Sequence, residues 1–104
     1  MAQGPGGGQG GGAVTLEELR LRIDEIDGHL VRLFNARAQC ALEIGEIKKQ
    51  QGLPIYQPER EVAVLERARE ASVAAGGPLG PDAMGRLFER IIDEARGLEL
   101  KAVR

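Results

Sequence analysis

The chain has 104 residues, of which 29% are charged, and a formal net charge of −2. Once the glycine-rich start is set aside, this length allows one domain. The interleaved, nearly balanced charges argue against a nucleic-acid-binding surface. No stretch is apolar over the length that a membrane span needs, and no signal segment is evident, so we expect no membrane partner.

Residues 1–13 are mostly glycine and offer almost no apolar surface to bury, which predicts a disordered tail ahead of a domain at residues 14–104. Thr15 is a predicted N-cap for the first helix. The single cysteine, Cys40, excludes an internal disulfide and fits a reducing cytoplasm. Because it falls on an apolar helical face, we expect it to be a small core residue. His29 has no partner at ligand spacing, so no metal site is predicted.

The first predicted helix runs from Leu16 to about Gln50 and carries one unbroken apolar seam. The seam positions alternate at spacings of three and four residues, as in a coiled coil: Leu16, Leu19, Ile23, Ile26, Leu30, Leu33, Arg37, Cys40, Ile44 and Ile47. A helix of this length spans roughly 50 Å, whereas a domain of this size is only about 30 Å across. We therefore expect a homodimer in which a second copy packs along the helix.

Two shorter helices follow. Gly52 and Pro54 are predicted to end the first helix, and Pro58 to open the second, which stops before Gly76. Its predicted buried face consists of Val62, Leu65, Ala68 and Ser72. Pro81 opens a strongly amphipathic third helix. Its apolar positions are Met84, Leu87, Phe88, Ile91, Ile92, Ala95 and Leu98. The predicted fold is all-α, with three helices in each chain.

Three basic residues of the first helix are ambiguous on pattern alone. Arg37 lies on the seam, where it is either a polar residue that specifies register or a ligand for an anion that offsets the cost of its burial. Lys48, close to the end of the helix, is typical of a solvated face. Arg20 flanks the seam and by itself is typical of a surface residue.

The remaining polar candidates lie on the second and third helices. Gln57, Arg60 and Glu61 cluster where the backbone amides and the helix dipole favour an anion, although ordinary capping and i,i+3 pairing explain them equally well. Glu99 continues the apolar face of the third helix, where a frayed last turn is the simpler interpretation.

Taken in order, these residues resemble the all-helical chorismate mutases. The resemblance rests on Leu19-Arg20, on the repeated Ile-Asp pairs at residues 23–27, on the spacing of Arg37, Gly45 and Lys48, and on the segment Pro58–Glu61. It covers roughly residues 14–101. It implies an intertwined homodimer of three-helix chains that rearranges chorismate to prephenate, in phenylalanine and tyrosine biosynthesis, without a metal or a cofactor.

The resemblance also implies roles for individual residues. Arg20 would reach one substrate carboxylate from the partner chain, and Arg37 would bind the other within its own chain. Lys48 would donate to the ether oxygen of the substrate. Glu61 would accept a hydrogen bond from the substrate hydroxyl, and Arg60 would support the site from the same turn.

Three positions depart from patterns common in the family. Gln57 stands where many relatives carry Asp, and Ala95 where some carry a Ser that contacts the substrate. Glu99 stands where many bacterial relatives carry a Gln that donates to the ether oxygen. A carboxyl group can donate there only when it is protonated, so we expect activity to decline as the pH rises.

Other functions compete with the mutase. Isochorismate pyruvate-lyases share this fold and the Arg–Lys site, but lack a glutamate after the arginine at the start of the second helix; the Arg60–Glu61 pair therefore favours the mutase. A non-catalytic helical dimerisation module explains the seam but not the coincidence of Arg37, Lys48 and the Arg60–Glu61 pair with the family pattern. Docking on another enzyme of the pathway stays open.

Overall fold

The structure is a computed structural model that describes residues 13–103. This range folds into three helices and contains no strand: α1 (Leu16–Gln51), α2 (Pro58–Ala75) and α3 (Pro81–Ala102). The predicted all-α, three-helix architecture is confirmed. The predicted disordered tail, apart from Ala13, lies outside the described residues. None of the described helices combines the length and the apolar character that crossing a membrane requires.

The N-terminus of α1 is closed by a reciprocal capping box. The Thr15 hydroxyl accepts a hydrogen bond from the Glu18 backbone amide at 3.1 Å, and the Glu18 carboxylate accepts one from the Thr15 amide at 2.8 Å. Two amides that the helix itself cannot satisfy are thereby bonded. The predicted N-cap at Thr15 is confirmed, with Glu18 as its partner.

Glycine and proline set the other helix boundaries. Gly52 (φ 68°) and Gly76 (φ 66°) adopt the left-handed conformation that ends α1 and α2, a conformation that costs a side-chain-bearing residue free energy. Pro58 and Pro81 are the first residues of α2 and α3, where a missing amide hydrogen is harmless. All four residues act as the sequence predicts.

The described residues form two units. In the first, residues 13–36, the chain is a single helix with its cap. Its six apolar seam side chains are 41–65% exposed: Leu16, Leu19, Ile23, Ile26, Leu30 and Leu33. One helix cannot cover its own apolar face, so this unit has no core of its own.

The second unit begins at Arg37 and contains the end of α1 together with α2 and α3. Its core is thin: the buried apolar residues are Ala41, Ala68 and Ile92. The predicted buried face of α2 is only partly correct, because Val62 is 53% exposed in the single chain. Ser72 is buried as predicted, and its hydroxyl donates to the Leu79 carbonyl at 2.8 Å, which ties the end of α2 to the following loop.

A glycine allows the end of α1 to approach the end of α3. A Cβ atom added to Gly45 would lie 2.9 Å from the Ala102 Cβ and 3.0 Å from the Glu99 Cα. These distances are shorter than side-chain-bearing residues tolerate, so the close contact requires glycine. The approach brings Glu99 next to the last turns of α1.

Candidate active site

The second unit contains a cavity of about 440 Å³, within the range typical of small-molecule sites. It is lined by the last four turns of α1, the linker that follows, the first turns of α2 and the C-terminal half of α3. The polar side chains that line it are Arg37, Lys48, Gln57, Arg60, Glu61, Arg96 and Glu99. Helix geometry thus gathers residues that are up to 62 positions apart in the sequence, from Arg37 to Glu99.

Lys48 is a buried cation in this cavity. It is 9% exposed, and its Nζ atom donates to the Ile55 carbonyl at 2.9 Å and to Glu99 Oε1 at 2.6 Å. The interpretation of Lys48 as a solvated residue is therefore wrong. Because an ammonium group has three donors, one remains for a ligand oxygen.

Glu99 lies inside α3, which continues to Ala102, so the interpretation as a frayed last turn is also wrong. Its side chain is 14% exposed and forms the ion pair with Lys48. In this structure the Glu99 carboxylate acts as a hydrogen-bond acceptor. The predicted donation to a ligand requires that the carboxylate bind a proton.

Glu61 is held by a residue that is not among the predicted site residues. Arg96 on α3 grips its carboxylate with two hydrogen bonds, Nε to Oε2 at 2.9 Å and Nη2 to Oε1 at 2.7 Å. The partner of Glu61 is thus on another helix, and not three residues away on α2. The hydrogen bond with Glu61 raises the pKa of Arg96, although burial opposes the effect, so the guanidinium stays charged.

Two further contacts fix the Arg96 guanidinium. Its central carbon lies 5.5 Å from the ring centroid of Tyr56, and Nη1 lies 3.4 Å from Asp93 Oδ1. A signal for Arg96 existed in the sequence, because it follows Ile92 by four residues and precedes Glu99 by three, which places all three on one face of α3. No sequence signal identifies the carbonyl of Ile55 as a site group, since every residue has a backbone carbonyl.

The start of α2 is built differently from the expected anion site. Gln57 is the N-cap residue, but its side chain makes no capping hydrogen bond. Its backbone carbonyl accepts from the amides of Arg60 at 3.1 Å and of Glu61 at 3.2 Å. These two amides are bonded within the chain itself, so neither is free to bind a ligand.

Arg37 and Arg60 differ from the other two cations of the cavity. Within residues 13–103 neither forms an ion pair, whereas Lys48 and Arg96 each hold a glutamate. Arg37 is half-buried and Arg60 is exposed. With four cationic and two anionic side chains, the lining carries a net charge of +2. This charge matches a small dianion, and the two unpaired guanidinium groups suit carboxylates.

The small residues of the lining shape the cavity without supplying donors. Ala95 lines it, as the resemblance implies, and contributes only a methyl group. Cys40 also lines it and is exposed, so the prediction that Cys40 is a core residue is wrong for the single chain.

Arg20 is the one predicted site residue that does not line the cavity. It lies in the first unit and is exposed. The other seven predicted residues are brought together. Within residues 13–103 no group of three or more His, Cys, Asp or Glu side chains is placed to hold a metal ion.

The fold and the cavity define a class: an all-helical domain whose binding site has a net positive charge suited to a small dianion. The family follows from comparison of the sequence. Residues 19–100 match the family described as chorismate mutase type II. The chain belongs to this family.

Relatives of known name agree with this assignment. The chain is 41% identical over 87 residues to a bifunctional chorismate mutase/prephenate dehydratase of Aquifex aeolicus, covering 83% of this chain and 24% of the relative. It is 38% identical over 81 residues to the T-protein of Haemophilus influenzae, covering 78% and 21%. It is 44% identical over 55 residues to a chorismate mutase of Methanocaldococcus jannaschii, covering 53% and 56%. The chain thus spans about a quarter of the length of the first two.

Proposed function

We propose that the protein is a chorismate mutase, an isomerase that converts chorismate to prephenate. The observation that carries the proposal is the charge of the cavity: four cationic side chains surround two carboxylates, and the two arginines without an ion pair are Arg37 and Arg60. Chorismate is a dicarboxylate, and guanidinium groups bind carboxylates in a fixed planar geometry. Membership of the chorismate mutase type II family supports the same substrate.

The proposed reaction requires little of the protein beyond holding the substrate in position and stabilising the charge that develops on it. In the rearrangement a carbon–oxygen ether bond breaks while a carbon–carbon bond forms, within one molecule and without proton transfer. A protein accelerates such a step by holding the compact conformer and by stabilising the charge that develops on the ether oxygen. Lys48 suits the second task, because it is buried, oriented by Ile55 and Glu99, and has one donor left.

We propose the remaining contacts from the family resemblance, and the lining of the cavity by these residues supports them. Glu61 accepts a hydrogen bond from the substrate hydroxyl, and Arg37 binds one carboxylate. Arg60 and Gln57 close the side of the cavity formed by α2. Glu99 faces the ether oxygen together with Lys48, and Ala95 leaves room for the ring.

The active form in this proposal is an intertwined homodimer in which Arg20 binds the second carboxylate of the substrate in the partner's cavity. Two observations support it. The apolar seam of residues 16–33 is exposed in the single chain, and no large side chain in residues 13–103 is fully buried. A second copy along α1 supplies the apolar surface that the single chain lacks. It also accounts for an arginine that the resemblance assigns to the site but that is absent from the cavity lining.

The proposed domain comprises residues 14–104. The name of the Aquifex aeolicus relative pairs the mutase with prephenate dehydratase, so an enzyme that consumes prephenate is the partner we propose for this chain. A cytoplasmic location stays a prediction from the single cysteine.

A ligand-binding experiment tests the substrate class. A bicyclic dicarboxylate that mimics the transition state should raise the melting temperature of the protein, because it binds only the folded state. Arg37→Ala should abolish the shift, whereas Arg32→Ala, an exposed arginine of the same helix outside the cavity, should preserve it. The absence of a shift with the unmodified protein, at ligand concentrations up to the millimolar range, would contradict the proposal.

A further inference from the structure

We propose that Arg96 is a positioning residue that sets the preference of the site for a hydroxyl-bearing substrate, by fixing the carboxylate of Glu61. The inference rests on the proposed function, because the ligand hydroxyl is that of the chorismate skeleton. It assigns a role in specificity to a residue that makes no contact with the substrate in the scheme above.

The contacts of Arg96 suit a residue that positions Glu61 better than one that binds the substrate directly. Nε and Nη2 are used by Glu61, Nη1 lies 3.4 Å from Asp93, and the ring of Tyr56 lies 5.5 Å from the guanidinium carbon. Each nitrogen of the guanidinium thus already has a partner within the chain. Arg37 and Arg60 are different, since they form no ion pair within the described part of the chain and face the same cavity.

The carboxylate of Glu61 keeps free acceptor capacity while it is held. Two carboxylate oxygens offer about four lone-pair positions, and the two hydrogen bonds from Arg96 use two of them. The others can accept a hydroxyl hydrogen from a ligand in the cavity. A bidentate pair also fixes the carboxylate plane, so the direction from which a hydroxyl is accepted is set before the ligand binds.

Electrostatics give Arg96 a second task. A carboxylate in the lining of a cavity that receives a dianion repels that ligand, and the repulsion is strong where water is excluded. Arg96 offsets the charge of Glu61 at 2.7 Å, as Lys48 offsets that of Glu99 at 2.6 Å. Glu61 can therefore serve as a hydrogen-bond acceptor without making the cavity unfavourable for carboxylates.

The linker between α1 and α2 is held by the same two cations. Lys48 binds the carbonyl of Ile55, and Arg96 packs on the ring of the next residue, Tyr56. The linker leads directly to Gln57 and the start of α2, so Arg96 holds Glu61 and also the segment that brings Glu61 to the cavity.

The test compares two ligands by calorimetry: the bicyclic dicarboxylate transition-state analogue with its hydroxyl group, and the same diacid without it. The unmodified protein should bind the hydroxyl compound more tightly. Arg96→Gln should weaken the binding of both diacids, because the charge of Glu61 is no longer offset, and should in addition reduce the preference for the hydroxyl compound about tenfold. Arg90→Gln is the matched control, because Arg90 lies on the same helix in an exposed ion pair with Glu94, and it should leave both affinities unchanged.

Two further variants separate positioning from a merely structural role. Arg96→Lys keeps a charge and one hydrogen bond, so it should restore part of the preference. In a Glu61→Gln background, Arg96→Gln should cause little further loss of the preference for the hydroxyl compound, because Arg96 acts through Glu61. Equal weakening of both ligands by Arg96→Gln would overturn the inference, as would an unchanged preference. If the unmodified protein bound neither ligand, the proposed function would fail, and the inference with it.

Discussion

The Nζ atom of Lys48 lies 2.6 Å from Oε1 of Glu99, although the two residues are 51 positions apart in the sequence. Both side chains are largely buried, and the close approach of the helices at Gly45 makes the pair possible. The pair joins the end of α1 to α3 at the cavity. The contact between α1 and α3 and the proposed chemistry thus both depend on Nζ of Lys48 and Oε1 of Glu99.

Replacing Lys48 should damage both stability and activity. Lys48→Met leaves the Glu99 carboxylate buried without a partner, which we expect to cost about 3 kcal/mol of unfolding free energy. It also removes the donor to the ether oxygen, so kcat should fall by a factor on the order of 10² to 10³. Urea denaturation and steady-state kinetics measure the two effects. Lys49→Met, the exposed neighbouring lysine, should change neither quantity appreciably, and a large effect there would contradict the assignment.

Glu99 should make the activity depend on pH. If the carboxyl group donates to the ether oxygen, it must carry a proton in the complex, so activity should decline as the pH rises. Glu99→Gln supplies an amide donor at every pH and should flatten the profile of kcat between pH 5 and about pH 9. An identical pH dependence in the variant would show that Glu99 is not this donor.

Much of the fold was predictable because local signals decide it. Thr15, Gly52, Pro58 and Pro81 act through the conformation of one or two residues, and the sequence shows them directly. Burial was harder to predict, since Val62 and Cys40 lie on apolar helix faces that are exposed in the single chain. A face that a second copy covers has the same periodicity as one that packs within the chain.

The site was predictable residue by residue, but its ion pairs were not. Lys48 and Glu99 each have an ordinary surface interpretation, and only the approach of two helices turns them into a buried pair. Arg96 was missed because charged residues on a helix face are common, and its partner Glu61 lies 35 positions away. Both ion pairs can be recognised only from the distance between the side chains in the folded protein.

The close approach at Gly45 predicts a contrast between two glycines. Gly45→Ala would place a Cβ 2.9 Å from Ala102 and 3.0 Å from the Glu99 Cα, so it should destabilise the protein by about 1–3 kcal/mol and lower activity by displacing Glu99. Gly97→Ala, in α3, meets no atom within 4 Å and should stabilise by about 0.5–1 kcal/mol. Thermal unfolding measures both. Equal tolerance of the two substitutions would show that the helices do not depend on this contact.

Mixed dimers test whether Arg20 acts across chains. Arg20→Ala and Arg37→Ala should each be nearly inactive alone. In a dimer with one chain of each kind, one cavity contains an intact Arg37 and receives the intact Arg20 of the partner. Random pairing of equal amounts, by co-refolding, should therefore restore about a quarter of the activity of the unmodified protein. No recovery, in a mixture shown to contain mixed dimers, would place both arginines of a site in one chain.

The most direct test of the proposed function is incubation of the purified protein with chorismate, following substrate loss by absorbance and identifying the product. We predict that prephenate forms, that Arg37→Ala abolishes its formation, and that Arg32→Ala does not. If no chorismate were consumed between pH 5 and pH 8, or if consumption were unaffected by Arg37→Ala, the proposed function and its site would be contradicted. Isochorismate would then be the next substrate to test.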